Sequence, residues 1–274
     1  MTNNKIRFTA IGDVGVDMYP SSQLKLPGGT ALNSAIFASQ VGAEAAVISA
    51  IGTDSLSKIP LQALQKWHVD ILQLNITEGK TDRVDIKIDN EGRPTYKNWE
   101  LGVLDGFKLT ESHQQFLATQ HIAIAVHLPE LEPMFEDFAA MEFKKTIKVA
   151  DFTDLSEYKG DVAVIKKYMN QFDMVALSID ASDKERLASF YDIADEHKKM
   201  AIALMGKDGS AVYFEGSLFY QDAKKVAVVD TTGAGDMYLS VFLVQYLQTQ
   251  DIRFSMEKAT EKASNVIQHL GAVE

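Results

Sequence analysis

Val228-Val229-Asp230-Thr231-Thr232-Gly233-Ala234-Gly235-Asp236-Met237-Tyr238 reads as an apolar strand that enters a turn of small residues and then an apolar helix. In open α/β sheets, ligands sit at such strand ends. Gly233 and Gly235 carry no side chain to keep an anion away from backbone N–H groups, and the helix that follows adds its positive end. Asp236, in the first helical turn, admits two readings. It is a helix-start residue favoured by the dipole, or it takes a proton from a hydroxyl while the amides hold the charge on a transferring phosphoryl group. A carboxylate placed only beside a bound phosphate would repel it, which gives the second reading its sense.

Outward from this stretch, short apolar runs predict buried strands at Phe8–Ile11, Ala46–Ile51, His121–Val126, Ile147–Phe152, Met174–Ser178, Met200–Met205 and Val226–Val229. Helical spacing falls between them, at Ala31–Val41, Ser57–Trp67, Glu185–His197, Asp236–Gln248 and Ser255–Leu270. The alternation implies an α/β fold, a mainly parallel central sheet with helices on both faces. Arg83–Asp89 and Pro94–Trp99 around Asn90-Glu91-Gly92 predict an inserted hairpin, and Ser210–Phe214 with Ser217–Gln221 a second one.

The chain has 274 residues, 46% of them hydrophobic, which allows roughly three quarters of the unfolded surface to be buried. With 27 Lys+Arg against 38 Asp+Glu the net charge is −11, so nucleic acid is not an expected partner. No cysteine is present, which excludes disulfides, thiolate metal sites and cysteine nucleophiles. The amino terminus is polar and no window approaches a membrane span, so the expected location is cytoplasmic, away from the membrane. An acidic chain that handles an anionic ligand is expected to rely on directed amides and a neutralising metal rather than on a strong cationic patch.

The string Asp230-Thr231-Thr232-Gly233-Ala234-Gly235-Asp236 resembles the C-terminal motif of the PfkB, or ribokinase-like, family of sugar kinases. Pro27-Gly28-Gly29-Thr30-Ala31-Leu32-Asn33, followed by Ala35 and Val41-Gly42, resembles the N-terminal motif. The resemblance runs from Ile11 to Gly271. It implies one ribokinase-like domain over 1–274, with a small β lid from about 18–28 and 82–102. It implies ATP and Mg²⁺, a sugar substrate, Asp236 as base, and Gly233, Ala234 and Gly235 around the transferred phosphoryl group.

The same resemblance places the sugar on Asp13, Asp17, Gly28, Gly29 and Asn33, although Asp13 equally suits a turn and Asn33 a helix start. Gly206, Gly209, Thr232, Thr260 and Ala263 fall at nucleotide-binding positions, and Lys207 is given no catalytic role. Asp230 and Thr232 match a K⁺ site of related kinases; a strand-end acid bonded to backbone N–H groups is the equal alternative for Asp230. One departure is visible. Many members carry Asn-x-x-Glu where this chain has Ser178-Ile179-Asp180-Ala181, so Asp180 or Asp183 would act on the metal through water.

Gly12-Asp13, Val16-Asp17, Tyr19-Pro20, Asp151-Phe152-Thr153-Asp154 and Ile267-Gln268-His269 look most like fructoselysine 6-kinases. That implies the 6-hydroxyl of a sugar-amine as acceptor, with other sugars, nucleosides, or a sensing role on the same fold as alternatives. Asp151 and Asp154 suit the substrate or an Asx turn. Tyr96 and Trp99 suit the substrate or hairpin packing. Lids of this kind pair between subunits, so a homodimer through the lid is expected.

Overall fold

The computed structural model describes residues 5–273; Met1–Asn4, part of the polar amino terminus, and Glu274 lie outside the described residues. The chain begins with β1 (Arg7–Ile11), β2 (Gly15–Tyr19), β3 (Leu24–Gly28), α1 (Thr30–Gln40), β4 (Glu44–Ile51), α2 (Lys58–Lys66) and β5 (Leu74–Ile76). It continues through β6 (Asp82–Ile88), β7 (Pro94–Glu100), α3 (Glu111–Leu117), β8 (Ile122–Val126), α4 (Glu132–Ala140), β9 (Ile147–Asp151) and α5 (Ala163–Tyr168). It closes with β10 (Met174–Ser178), α6 (Lys184–His197), β11 (Met200–Leu204), β12 (Ser210–Phe214), β13 (Ser217–Gln221), α7 (Ala234–Thr249) and α8 (Ile252–Val266).

The larger sheet has the order β13-β12-β11-β10-β9-β8-β1-β4-β5. Its strands pair in parallel except for the β11–β12–β13 edge. Side chains alternate across it. Phe8, Ala10, Ile122 and Ile124 enter one core with Leu32 and Ile36 of α1 and Phe242 of α7. Ile11, Ala123 and Ala125 enter the other, with Phe135 and Phe138 of α4 and Phe190 of α6. Both faces are covered, which is why these strands read as unbroken apolar runs instead of alternating ones. Each large side chain so buried contributes about 1.5–3 kcal/mol.

β1 lies between β4, its successor in this sheet, and β8, which begins the run of later strands on its other side. The direction of winding reverses there, so a crevice opens at the carboxyl ends of β1 and β8. A smaller sheet of order β3-β2-β6-β7 accompanies the large one. β2 pairs antiparallel with β3 and parallel with β6, with Gly15 opposite both Gly28 and Asp82.

The hairpin expected at 83–99 is present as β6 and β7. Residues 18–28, expected in the lid, form the end of β2, a turn and β3, and Asp17 lies within β2. β3 is half exposed and gains its order from pairing with β2, a long-range condition that its own polarity pattern does not announce.

The strand expected at Val226–Val229 does not form. Val228 and Val229 are 44% and 46% exposed, and Val229 N–H bonds to the Ile267 carbonyl at 2.8 Å. β13 already closes that edge of the sheet, so the apolar run serves as a connection back to α7. The last helix ends at Val266 rather than Leu270, and α7 starts at Ala234, where Gly233 at φ 75° turns the chain into it. Among the described residues no helix is long and apolar enough to cross a membrane.

Candidate active site

Three chain segments converge at the crevice: the exit of β1 with β2, the start of α1, and the start of α7. α1 has no capping side chain of its own; Asp13 Oδ1 takes that place, accepting from Thr30 N at 2.9 Å and Thr30 Oγ1 at 2.6 Å. Gly29 is the residue before that helix. One turn on, Asn33 Nδ2 donates to Asp236 Oδ2 at 2.9 Å. Asn33 Oδ1 is buried with no hydrogen-bond partner. A buried acceptor left open costs about 1–3 kcal/mol unless something donates to it, so this atom points to a hydroxyl-bearing ligand.

Asp17 is buried, and among the described residues no donor is bonded to its carboxylate. Gly28 makes room for it: a Cβ there would stand 2.0 Å from Asp17 Oδ1. Asp82, which sequence reasoning missed, is the next acid in the group. It is buried, and its Oδ1 accepts from Trp99 Nε1 at 2.6 Å. The hairpin expected at 83–99 begins one residue after it and contains Trp99, but nothing in that pattern marked Asp82 as facing Asp13 and Asp17.

Burial pushes the carboxyls of Asp17, Asp82 and Asp236 well above the ordinary range. Neighbouring carboxylates add to the shift in each case, and Asn33 opposes it at Asp236, as Trp99 does at Asp82. Among the described residues no cation is prominent among the charges acting on these three. Tyr96 is 55% exposed as a residue, but its hydroxyl is turned toward the acidic group, where desolvation and then the charges of Asp17 and Asp236 hold its proton tightly.

Asp151, at the end of β9, and Asp236 both line a recess of about 10 Å³ under Thr30 and Ser34, about the space of one water. Burial raises the Asp151 carboxyl to about 6, against a hydrogen bond from Thr153 N–H. Because this value lies above that of the unfolded chain, the folded state binds the extra proton, and stability falls as pH rises from the ordinary carboxylate range through about 6. Asp151→Asn is therefore expected to raise stability by about 1–2 kcal/mol at about pH 7.5 and to change it little at about pH 3.5. Urea unfolding at both pH values checks this; an equal gain at both would refute the account.

Asp230 is fully buried. Its Oδ1 accepts from Thr232 N and Oγ1 at 2.8 and 2.6 Å, and its Oδ2 from the Tyr19 hydroxyl at 2.8 Å and Gly271 N at 2.9 Å. A carboxylate offers about four acceptor positions, and these are all taken. The donor set therefore does not fit a K⁺ ion held by Asp230, and the alternative of a strand-end acid satisfied by its surroundings describes it. Thr232 is buried with Asp230, and it is Thr231 that faces the neighbouring cleft.

That cleft, of about 860 Å³, lies on the other side of the α7 start and is bordered by Thr231, Ala234, Gly206, Gly209, Thr260 and Ala263. The amides of Gly235 and Asp236 follow in the first turn of α7, where a helix has no acceptor of its own for them. Ser178 and Asp180 also line the cleft. Asp183 is used elsewhere, capping α6 at Arg186 N and pairing with the Arg186 guanidinium at 3.0 Å. Asp154 borders this cleft while Asp151 borders the recess, so the two acids of one sequence motif serve different sides.

The expectation of a site without a strong cationic patch meets a wall of mixed charge, in which Glu91, Asp154, Asp180 and Asp208 stand among five basic residues. Arg93, Arg186, Lys207, Lys224 and Lys225 all line the cleft. They come from separate parts of the chain, so no run of charge marks them. Among the described residues no cluster of three or more acids or histidines forms a metal cage. Asp180 on the cleft wall has the oxygen chemistry for Mg²⁺, which needs only one or two carboxylates when phosphates and water supply its other ligands.

The start of α7 thus divides two environments, a buried acidic one suited to a hydroxyl-bearing ligand and a larger cleft whose basic side chains and free amides suit an anionic one. Such a division defines a small-molecule kinase, which must hold acceptor and donor in line. The chain belongs to the pfkB family of carbohydrate kinases, whose family model matches residues 4–274. It is 26% identical over 263 residues to a fructoselysine 6-kinase from Shigella flexneri, covering 96% of this chain and 97% of that one. To a fructokinase from Salmonella typhimurium it is 25% identical over 254 residues, covering 85% and 82%.

Among solved structures, adenosine kinase from Sinorhizobium meliloti superposes with a TM-score of 0.82 at 17% identity, covering 98% of this chain and 96% of that one. A fructokinase from Vibrio cholerae, solved with fructose, ADP and potassium ion, gives 0.79 at 19% identity, covering 99% and 95%. The fold is ribokinase-like and the chain is a sugar kinase. Kinases of this family use ATP and a divalent metal.

Proposed function

We propose that this protein transfers the γ-phosphoryl group of ATP to a primary hydroxyl of a sugar or sugar-amine, with the 6-hydroxyl of a fructoselysine-like compound as the best-supported acceptor. The observation that carries the reading is the Asn33–Asp236 pair, 2.9 Å apart, with Asn33 Oδ1 open and the partnerless Asp17 in the same acidic group. In this reading the sugar lies under the small sheet, which acts as a lid. Asp17, Asn33 and the Gly28–Gly29 backbone hold its hydroxyls, and Asp13 keeps the start of α1 in place. The nucleotide lies in the 860 Å³ cleft.

Asp236 removes the proton of the attacking hydroxyl, and the oxygen attacks the γ-phosphorus as the bond to ADP breaks. The amides after Gly233 and the cleft cations stabilise the charge on the transferring group. Mg²⁺, when bound, supplies charge neutralisation on the phosphates. The lid excludes water, which would otherwise accept the phosphoryl group. Lid pairing in a homodimer and a cytoplasmic location belong to the same proposal.

Two features support a sugar-amine over a neutral sugar: the relatedness to fructoselysine 6-kinases, and a buried acidic group on which no cation of the described residues acts prominently. An ammonium on the substrate would offset those charges. A coupled assay of ADP release with fructoselysine, fructose, ribose and nucleosides tests this. The expected result is the highest kcat/KM with fructoselysine. Preference for fructose or a nucleoside would replace that substrate, and specific binding without turnover of any would favour a sensor.

A further inference from the structure

We propose that Arg93, delivered by the β6–β7 turn, contacts the terminal phosphate of the nucleotide and makes phosphoryl transfer depend on the small sheet being seated. This rests on the chain being a nucleotide-dependent sugar kinase, and extends it to a residue outside the two motifs that carry the family resemblance.

The turn is internally rigid. Asp89 Oδ1 accepts from Glu91 N at 2.8 Å and Arg93 N at 2.9 Å, while Asp89 N donates to the Arg93 carbonyl at 3.0 Å. It is also fastened to the anion-binding turn: the Gly92 carbonyl accepts from Thr231 N at 2.8 Å and from Thr231 Oγ1 at 3.2 Å. Only glycine permits that approach. Gly92 has φ 80°, and a Cβ on it would come within 2.6 Å of Val228 Cγ1.

With the turn so held, Arg93 lines the same cleft as Thr231, Ala234, Lys207 and Asp180. Among the described residues its guanidinium pairs only with Glu91, two residues away, and both side chains are about two-thirds exposed, at 65% and 68%. An exposed pair of that kind contributes little to stability, so Arg93 is not spent on holding the fold. Its charge is felt across the cleft, where Asp180 is held below the usual range first by Ser182 and then by Lys207 and Arg93.

The same hairpin carries Tyr96, a half-exposed residue whose hydroxyl feels the charges of Asp17 and Asp236. One β-ribbon therefore faces the acceptor side with Tyr96 and the donor side with Arg93. Arginine offers a planar fork of donors suited to phosphate oxygens. In this chain Ser178-Ile179-Asp180-Ala181 stands where relatives with Asn-x-x-Glu would have another set of side chains, and Arg93 with Lys207 supplies cationic contact on that wall.

The test compares Arg93→Gln, Arg93→Lys and Gly92→Ala in the full-length protein, with calorimetric binding of Mg·AMP-PNP and of AMP, and kcat with whichever sugar the wild type turns over. Arg93→Gln is expected to weaken Mg·AMP-PNP by about tenfold and lower kcat by about 10- to 100-fold, with AMP affinity and Tm unchanged. Arg93→Lys is expected to restore part of the loss. Gly92→Ala, which keeps the charge but unseats the turn, is expected to lower kcat and weaken Mg·AMP-PNP in the same direction. Retention of both within twofold by Arg93→Gln overturns the proposal, as does an equal loss of AMP and Mg·AMP-PNP binding. Because the binding comparison needs no turnover, its failure is distinct from a failure to identify the sugar.

Discussion

Asp236→Asn is expected to lower kcat by about 10²- to 10⁴-fold, the range that general bases contribute, while nucleotide affinity stays within a few fold. The amide keeps the size of the carboxylate and can still meet Asn33 after a flip, so the start of α7 and its free amides remain in place. What is lost is the ability to take the hydroxyl proton. The pH profile gives a second check. Burial, with Asp151 and Asp13 nearby, raises the Asp236 carboxyl well above its ordinary range, and a base must be ionised to act. Activity should therefore rise with pH along a limb lying above that range. Asn33→Ala removes the donor that favours the ionised form and should move the limb further up. Retained turnover in Asp236→Asn would refute its role as base.

Gly28→Ala is expected to raise KM for the sugar by about 10- to 100-fold, because hydrogen bonds to a charged group account for roughly that much. The added methyl would stand 2.0 Å from Asp17 Oδ1 and 2.2 Å from its Cγ, so the Asp17 side chain must swing out of its position. Alanine tolerates the backbone there, as Gly28 closes β3 in the strand conformation, and the fold should persist. The effect should run through Asp17. In the Asp17→Ala background, Gly28→Ala is expected to add almost nothing to the sugar KM, whereas independent sites would give additive losses. KM values for sugar and ATP across the four proteins of this cycle decide it, and a loss confined to ATP would place Gly28 in the wrong site.

The two family motifs were legible because each is a continuous string whose chemistry is local. Gly233 opens α7 and Asp236 sits in its first turn, both readable from residue type and spacing alone. The alternation of buried strands and helices was legible because a parallel sheet covered on both faces demands apolar runs. Val226–Val229 shows the limit of that signal: the same apolar string serves as a half-exposed connection, because whether a strand forms depends on a free edge to pair with. β2 and β3 show the converse, gaining strand order from each other and, for β2, from β6, despite an unpromising pattern.

Asp230 illustrates how far a motif determines a role. Its position was readable, but the hydroxyl that meets it belongs to Tyr19, 211 residues away, and the Gly271 amide 41 residues away completes the set. Those partners, and not the motif, decide between a cation ligand and a satisfied structural acid. The gathering of basic side chains in the cleft has the same origin. Five basic residues between positions 93 and 225 reach one wall only because β6–β7, α6, the β11 exit and the segment after β13 end at the same side of the sheet.

By itself, then, the amino-acid order determined the α/β class, the small-residue turn at Gly233–Gly235 and the acid beside it, since these follow from neighbours a few residues apart. Tertiary structure alone decided that Asp82 joins Asp13 and Asp17, that Asp151 and Asp154 part company, and that the Arg93 turn is bonded to the turn of Asp236. Such outcomes rest on contacts between distant segments, and no local propensity encodes which of many surface charges a fold will bring to one place.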